Sequence, residues 1–165
     1  MLAQFLQDAL FSALAAIGFA SISNPPRQAF LYCGLIAALG HSTRFLLLNN
    51  GLIDIHIVIA TFIAAFIVGV LAVVLSPRTR VPAETYLYPA LLPMIPGMYA
   101  YRAFGGMIMC LYNTTEQNFD HYFYLFVNNG LTCFFLLLAL TIGATIPIFL
   151  LKKISFTATR DADND

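Results

Sequence analysis

Charge is what this chain has least of. Asp, Glu, Lys and Arg make up 10% of its 165 residues, against 60% that are hydrophobic, and its mean hydropathy is +0.82. Soluble domains keep about a quarter of their residues charged, so this composition excludes an ordinary soluble fold and points to the lipid bilayer. Eight basic residues balance eight acidic ones, which removes nucleic acid as a partner. Cysteine is scarce too. Cys33, Cys110 and Cys133 lie far apart in apolar runs without a CxxC. Neither a disulfide framework nor a zinc site is expected, and the thiols read as small apolar packing groups. His41, His56 and His121 show no ligand spacing. No nucleophile stands beside a base and no phosphate loop is present, so the chain does not read as an enzyme, and no cofactor or metal is expected. The N-terminus "MLAQFLQDALFSALAAIGFA" lacks the basic segment of a signal peptide, with Gln4, Gln7 and Asp8 in its place. It reads as a first membrane helix that the mature protein retains.

Long apolar runs are what the chain does have. A helix crosses the hydrocarbon core in about 20 residues. Five stretches qualify, at 2–22, 29–48, 53–75, 87–111 and 125–151. They predict an all-α polytopic membrane domain over 1–151, followed by a polar cytoplasmic tail at 152–165. The connections "SNPPRQ", "NNG", "SPRTRVPAETY" and "NTTEQNFDHYFY" are short and turn-rich, so consecutive helices are expected to run antiparallel. Arg27 falls in the first connection, Arg78 and Arg80 in the third, and Lys152, Lys153 and Arg160 in the tail. The N-terminus and the second and fourth connections have no Lys or Arg. All these cations therefore share one side, which the positive-inside tendency makes cytoplasmic: N-outside, C-inside. Small residues recur at intervals of three and four, as in Gly34, Ala37, Ala38 and Gly40. They predict close helix packing in lipid.

The fourth stretch contains "YLYPALLPMIPGMYAYRAFGG", residues 86–106. Pro93 and Pro96 lack backbone donors and clash with the preceding turn, so the helix is expected to break at Pro93, Pro96 and Gly97. That frees carbonyls around Tyr88 to Leu92. Gly97 would let the chain turn without a Cβ penalty, and a second half-helix would begin near Met98 with open amides at its positive end. Arg102 follows one turn later. Together with Gly97, Met98 and Tyr99 it forms a candidate site for a carboxylate. A second reading is equally physical: a structural kink, with Arg102 paired to Asp8 or a carbonyl to hold the bundle.

Arg44 lies four residues from the outer end of the second span, where snorkelling explains it as well as function does. Asp8 and His41 are the intramembrane groups that could carry a coupling proton. Asn128, Asn129 and Thr132 are further polar candidates in the fifth span.

Residues 18–20 (Gly-Phe-Ala), the turn Asn24, Pro26 and Arg27, the helix segment 37–40, and Pro89 to Gly97 with Arg102 resemble the threonine/serine exporter family. The likeness is to its second membrane domain, which often occurs as a separate small subunit. It covers about residues 15–110. At the position of His41 the family usually has an apolar or aromatic residue. The resemblance implies export of small amino acids such as threonine and serine, driven by the proton gradient across a bacterial inner membrane, with a larger membrane subunit of the same family as partner. Some two-subunit members are linked to succinate instead, so the small carboxylate-bearing metabolite is an amino acid or a dicarboxylate. A non-transporting scaffold subunit is the alternative, and self-association into homo-oligomers is compatible with either. If the partner half also has five spans, the halves would be inverted repeats around a midplane site.

Overall fold

The computed structural model describes residues 2–23, 25–49, 55–79, 81–112 and 115–151. Asn24, Arg80, Lys152, Lys153, Arg160 and the tail 152–165 lie outside these described residues. All regular structure among the described residues is helical: α1 (Leu2–Ile22), α2 (Arg27–Asn49), α3 (Ile57–Thr79), α4 (Ala83–Leu91), a 3-10 turn at Leu92–Met94, α5 (Gly97–Tyr112) and α6 (Glu116–Leu150). Helices α1, α2, α3 and α6 are each long and apolar enough to cross a membrane. The stretch read as a fourth span is divided between α4, of 9 residues, and α5, of 16.

Several boundaries differ from the sequence reading, for local reasons. Helix α6 starts at Glu116 and runs for 35 residues, about 52 Å at 1.5 Å per residue. "EQNFDHYFY" is therefore helix, not connection. It has no proline or glycine, its Glu116 suits the positive helix start, and Phe119 stacks on Phe123 four residues on, with centroids 5.8 Å apart. Helix α4 starts at Ala83 because Pro82, at φ −54° and ψ 141°, directs the chain into it. Helix α3 starts later than position 53. His56 caps it, its ring Nδ1 accepting the Val58 N–H at 3.3 Å. At its far end α3 passes through Pro77 and is closed by Thr79. That hydroxyl donates to the Leu75 carbonyl at 3.0 Å and accepts from the fully buried Tyr86 at 2.6 Å.

The chain forms two compact units. One comprises the chain up to Met94 and from Ala139 on; the other is Ile95–Leu138. In the first, α1 and α2 pair antiparallel. Phe5 meets Phe45 edge-on with centroids 6.0 Å apart, Asp8 meets His41, and Ile17 fills the space over Gly34. A Cβ on Gly69 would stand 2.7 Å from the Ala144 carbonyl, and one on Gly143 2.7 Å from the Phe62 carbonyl. Helix α3 and the end of α6 thus run side by side in the same direction with backbones nearly touching. The core is correspondingly small-grained: Ala16, Ala37, Ala64, Ala65 and Ala72 are fully buried. This is how helices gain packing energy in lipid, where exclusion from water gives none.

In the second unit α5 lies antiparallel to the first part of α6. Gly106 sits against the backbone of Tyr122 and Phe126, Ala103 opposes Gly130, and the Cys133 thiol donates to the Pro96 carbonyl at 3.9 Å.

Candidate functional site

The helix break is made by three consecutive backbone events. Leu92 still has helical dihedrals (φ −54°, ψ −42°), and its N–H donates to the Tyr88 carbonyl. Tyr88 is therefore satisfied inside its own helix, contrary to the expectation that its carbonyl is freed. One 3-10 turn follows. Pro96 then offers no N–H, and the chain tightens so that the Gly97 N–H reaches the Ile95 carbonyl at 2.8 Å, a three-residue turn.

The amides of Tyr99 and Ala100 both donate to the Pro96 carbonyl at 3.1 Å. Two of the three amides expected to stand open at Gly97, Met98 and Tyr99 are thus already engaged by the turn. Gly97 itself is not required for conformation. Its φ lies outside the left-handed region and a Cβ there would meet nothing within 4 Å, because it is already the first helical residue of α5.

The break is not isolated. Arg44, from α2, places Nη1 3.4 Å from the Met94 carbonyl. In an unbroken helix that carbonyl would accept the Met98 N–H; the turn removes the donor and the guanidinium stands in for it. One turn back along α2, His41 Nδ1 lies 3.2 Å from Asp8 Oδ2 of α1. His41 is 6% exposed, whereas the Asp8 side chain is 36% accessible.

A carboxylate facing Nδ1 sets the proton on that nitrogen, which leaves Nε2 as a bare lone pair. Nε2 is buried without a hydrogen-bond partner. Met94 of the break packs against the same stretch of α2. Gly40 makes this approach possible, since a Cβ there would collide with Val68 and stand 3.0 Å from Met94 Cε.

The sequence candidates Asp8, His41 and Arg44 therefore gather at one place with Pro93 and Met94 of the break. The sequence reading missed the Met94 carbonyl. Its signal was the proline two residues ahead, which ends the helix before position 98 can donate. Arg102 belongs to the other unit, on α5 with Gly97, Met98 and Tyr99. It is exposed and has no hydrogen-bond or ion-pair partner among the described residues. The Asp8 carboxylate is taken by His41. Asn129 and Thr132 spend their side chains on their own helix, donating to the Leu125 carbonyl at 2.7 Å and the Asn128 carbonyl at 2.8 Å.

A cavity of about 480 Å³ opens between the α1–α2 turn and the start of α4, lined by Ser23, Pro26, Pro82, Glu84, Thr85 and Tyr88 among others. Fifteen helical residues separate Asp8 from Ser23, roughly 22 Å along α1, so it is remote from the Asp8–His41 pair.

A family profile described as "Threonine/Serine exporter, ThrE" matches residues 8–150, a span that contains the whole Asp8–His41–Arg44 cluster and the break. The chain belongs to the threonine/serine exporter family. An uncharacterized protein of Haemophilus influenzae is 38% identical over 145 residues, covering 87% of this chain and 46% of that relative. The chain thus spans about half the length of this curated relative. No solved structure matches it. As a threonine/serine exporter family member with four helices of membrane-spanning length and composition, it is a multi-pass membrane protein of a transport family.

Proposed function

We propose that this chain is a membrane subunit of a secondary exporter for small amino acids of the threonine/serine type, driven by the proton gradient in a bacterial inner membrane. The observation that carries the reading is the Asp8–His41 pair, its histidine buried, set one turn from Arg44 and the helix break, within a chain of this family. An ionisable pair held inside membrane-length helices is costly unless it serves transport, and broken helices recur at transporter sites.

The larger subunit enters because the relative is about twice as long as this chain. We propose five crossings with the N-terminus outside, the segment 83–112 forming the fourth. Arg102, with Gly97, Met98 and Tyr99 at the start of α5, is the proposed contact for the substrate carboxylate, the Met98 amide being the one of the three that the turn does not engage. A dicarboxylate would want a second free cation, and Arg44, the other cation read as lying within a span from the sequence, is engaged with the Met94 carbonyl. That favours an amino acid over succinate.

The test is efflux from proteoliposomes holding this chain with its larger family subunit, loaded with labelled serine, threonine or succinate. Serine or threonine efflux that collapses with the pH gradient is the expected result. Efflux of succinate alone, or of none of the three above empty vesicles, refutes the proposal.

A further inference from the structure

Among the described residues, the charges on the elements packed around His41 are few enough to enumerate. From α1 comes the Asp8 carboxylate, while the nearby Ser12 hydroxyl is spent on the Ala9 carbonyl at 3.0 Å. From α2 comes Arg44. Helix α3 carries no charge until Arg78 at its far end. The break contributes the Met94 carbonyl, and Glu84 lies at the opposite end of α4.

With a neutral ring, Asp8 and Arg44 balance. His41 then has Nδ1–H on the carboxylate and a buried Nε2 that no hydrogen-bond partner reaches. A proton at Nε2 makes the cluster net positive by one. The ammonium of an amino acid docked on Asp8 would bring a second cation to the same carboxylate, the substrate's own carboxylate standing one carbon further off and leaving the amino acid itself net neutral. In an environment of low dielectric, two added cations a few ångströms apart repel strongly, so the cluster holds one or the other.

We propose that Asp8 and His41 form the coupling site of the exporter, at which a proton on His41 Nε2 and the primary ammonium group of the transported amino acid exclude one another. The inference rests on the exporter reading and deepens it. Asp8, the accessible member of the pair, takes the ammonium; His41, the buried member, takes the proton. In one cycle the proton enters from the side of higher proton activity and binds the Nε2 lone pair. It leaves to the other side when the next ammonium reaches Asp8, so no proton is created or lost. Arg44 is a positioning residue, holding the Met94 carbonyl so that the break stays against α2.

The experiment uses the full chain with its larger subunit in proteoliposomes and labelled L-serine in two modes: uptake driven by a pH gradient, and serine–serine exchange at equal pH. His41→Gln, and His41→Phe as a second variant of different shape, are expected to lose gradient-driven uptake by at least about tenfold more than they lose exchange. Asp8→Asn is expected to raise the KM for exchange by about tenfold or more, with partial recovery in Asp8→Glu. A measurement on the unmutated complex removes any dependence on variant folding: saturating serine should shift the 15N resonance of His41 Nε2 toward its unprotonated value at constant pH. Gradient-driven uptake at wild-type level in both His41 variants, or a His41 resonance indifferent to serine, overturns the proposal. If the unmutated complex drives gradient uptake but Asp8→Asn leaves the KM unchanged, the ammonium assignment falls while the exporter reading stands. Unmutated vesicles that exchange no serine overturn both.

Discussion

Gly105 and Gly106 are neighbours on α5, yet an alanine should act on them in opposite directions. At Gly106 the added Cβ would lie 2.8 Å from the Phe126 nitrogen, 2.9 Å from the Tyr122 carbonyl oxygen and 3.2 Å from the Phe126 Cα. All three are backbone atoms of α6, so no side chain can swing aside. Ordinary contact at about 3.6 Å requires α5 to retreat by about 0.8 Å, which forfeits a quarter to a half of the dispersion energy of each contact across the interface. Overpacking of this kind costs about 1–3 kcal/mol. The greater helix propensity of alanine returns up to about 1 kcal/mol of it.

At Gly105 nothing lies within 4 Å of the Cβ position, so only the propensity gain applies. The two variants should differ by about 1–3 kcal/mol, and by roughly 2–4 °C of melting temperature per kcal/mol in a chain of this size. Thermal unfolding of detergent-solubilised protein, followed by loss of the monodisperse chromatographic peak, is expected to rank Gly105→Ala above the parent and Gly106→Ala below it. Equal melting of the two variants would refute the description of the α5–α6 contact. Because Arg102 sits one turn before Gly106, the same displacement should also lower efflux in Gly106→Ala but not in Gly105→Ala.

Gly97→Ala should leave melting temperature and efflux unchanged or slightly raised, since its Cβ enters open space; a clear loss of efflux would show that Gly97 matters for reasons other than geometry. Tyr86→Phe removes the 2.6 Å bond to Thr79 and should cost about 1 kcal/mol of stability, read in the same melting assay. Arg102→Ala is expected to abolish serine efflux, whereas Arg102→Lys keeps the charge, loses the planar fork and retains a reduced rate. Normal efflux in both, with assembly intact, removes Arg102 from the site. In a background without Cys33, Cys110 and Cys133, a cysteine at Asn49 should react with an impermeant maleimide in intact cells and one at Ser23 should not; the reverse pattern inverts the proposed topology.

Composition and periodicity were enough to read an all-helical membrane chain and the interruption at Pro93, Pro96 and Gly97, because both follow from what each residue can do locally. Apolar length decides whether a helix can cross lipid, and a missing proline N–H breaks a ladder wherever it sits. Helix ends were less legible. Glu116 to Tyr124 looks like a polar connection, yet it is helix because its aromatics stack along one face and nothing in it breaks the turn. Asp8, His41 and Arg44 could be named as candidates from their cost in lipid, but not as a group. Their meeting depends on the register in which α1 pairs with α2, set by the fit of Ile17 over Gly34 and of Phe5 on Phe45. It depends also on the absent side chain of Gly40, which lets Met94 approach. A single sequence records the price of each buried charge one residue at a time. Only the packed helices decide which charges share a site and which, like Arg102, keep an open face.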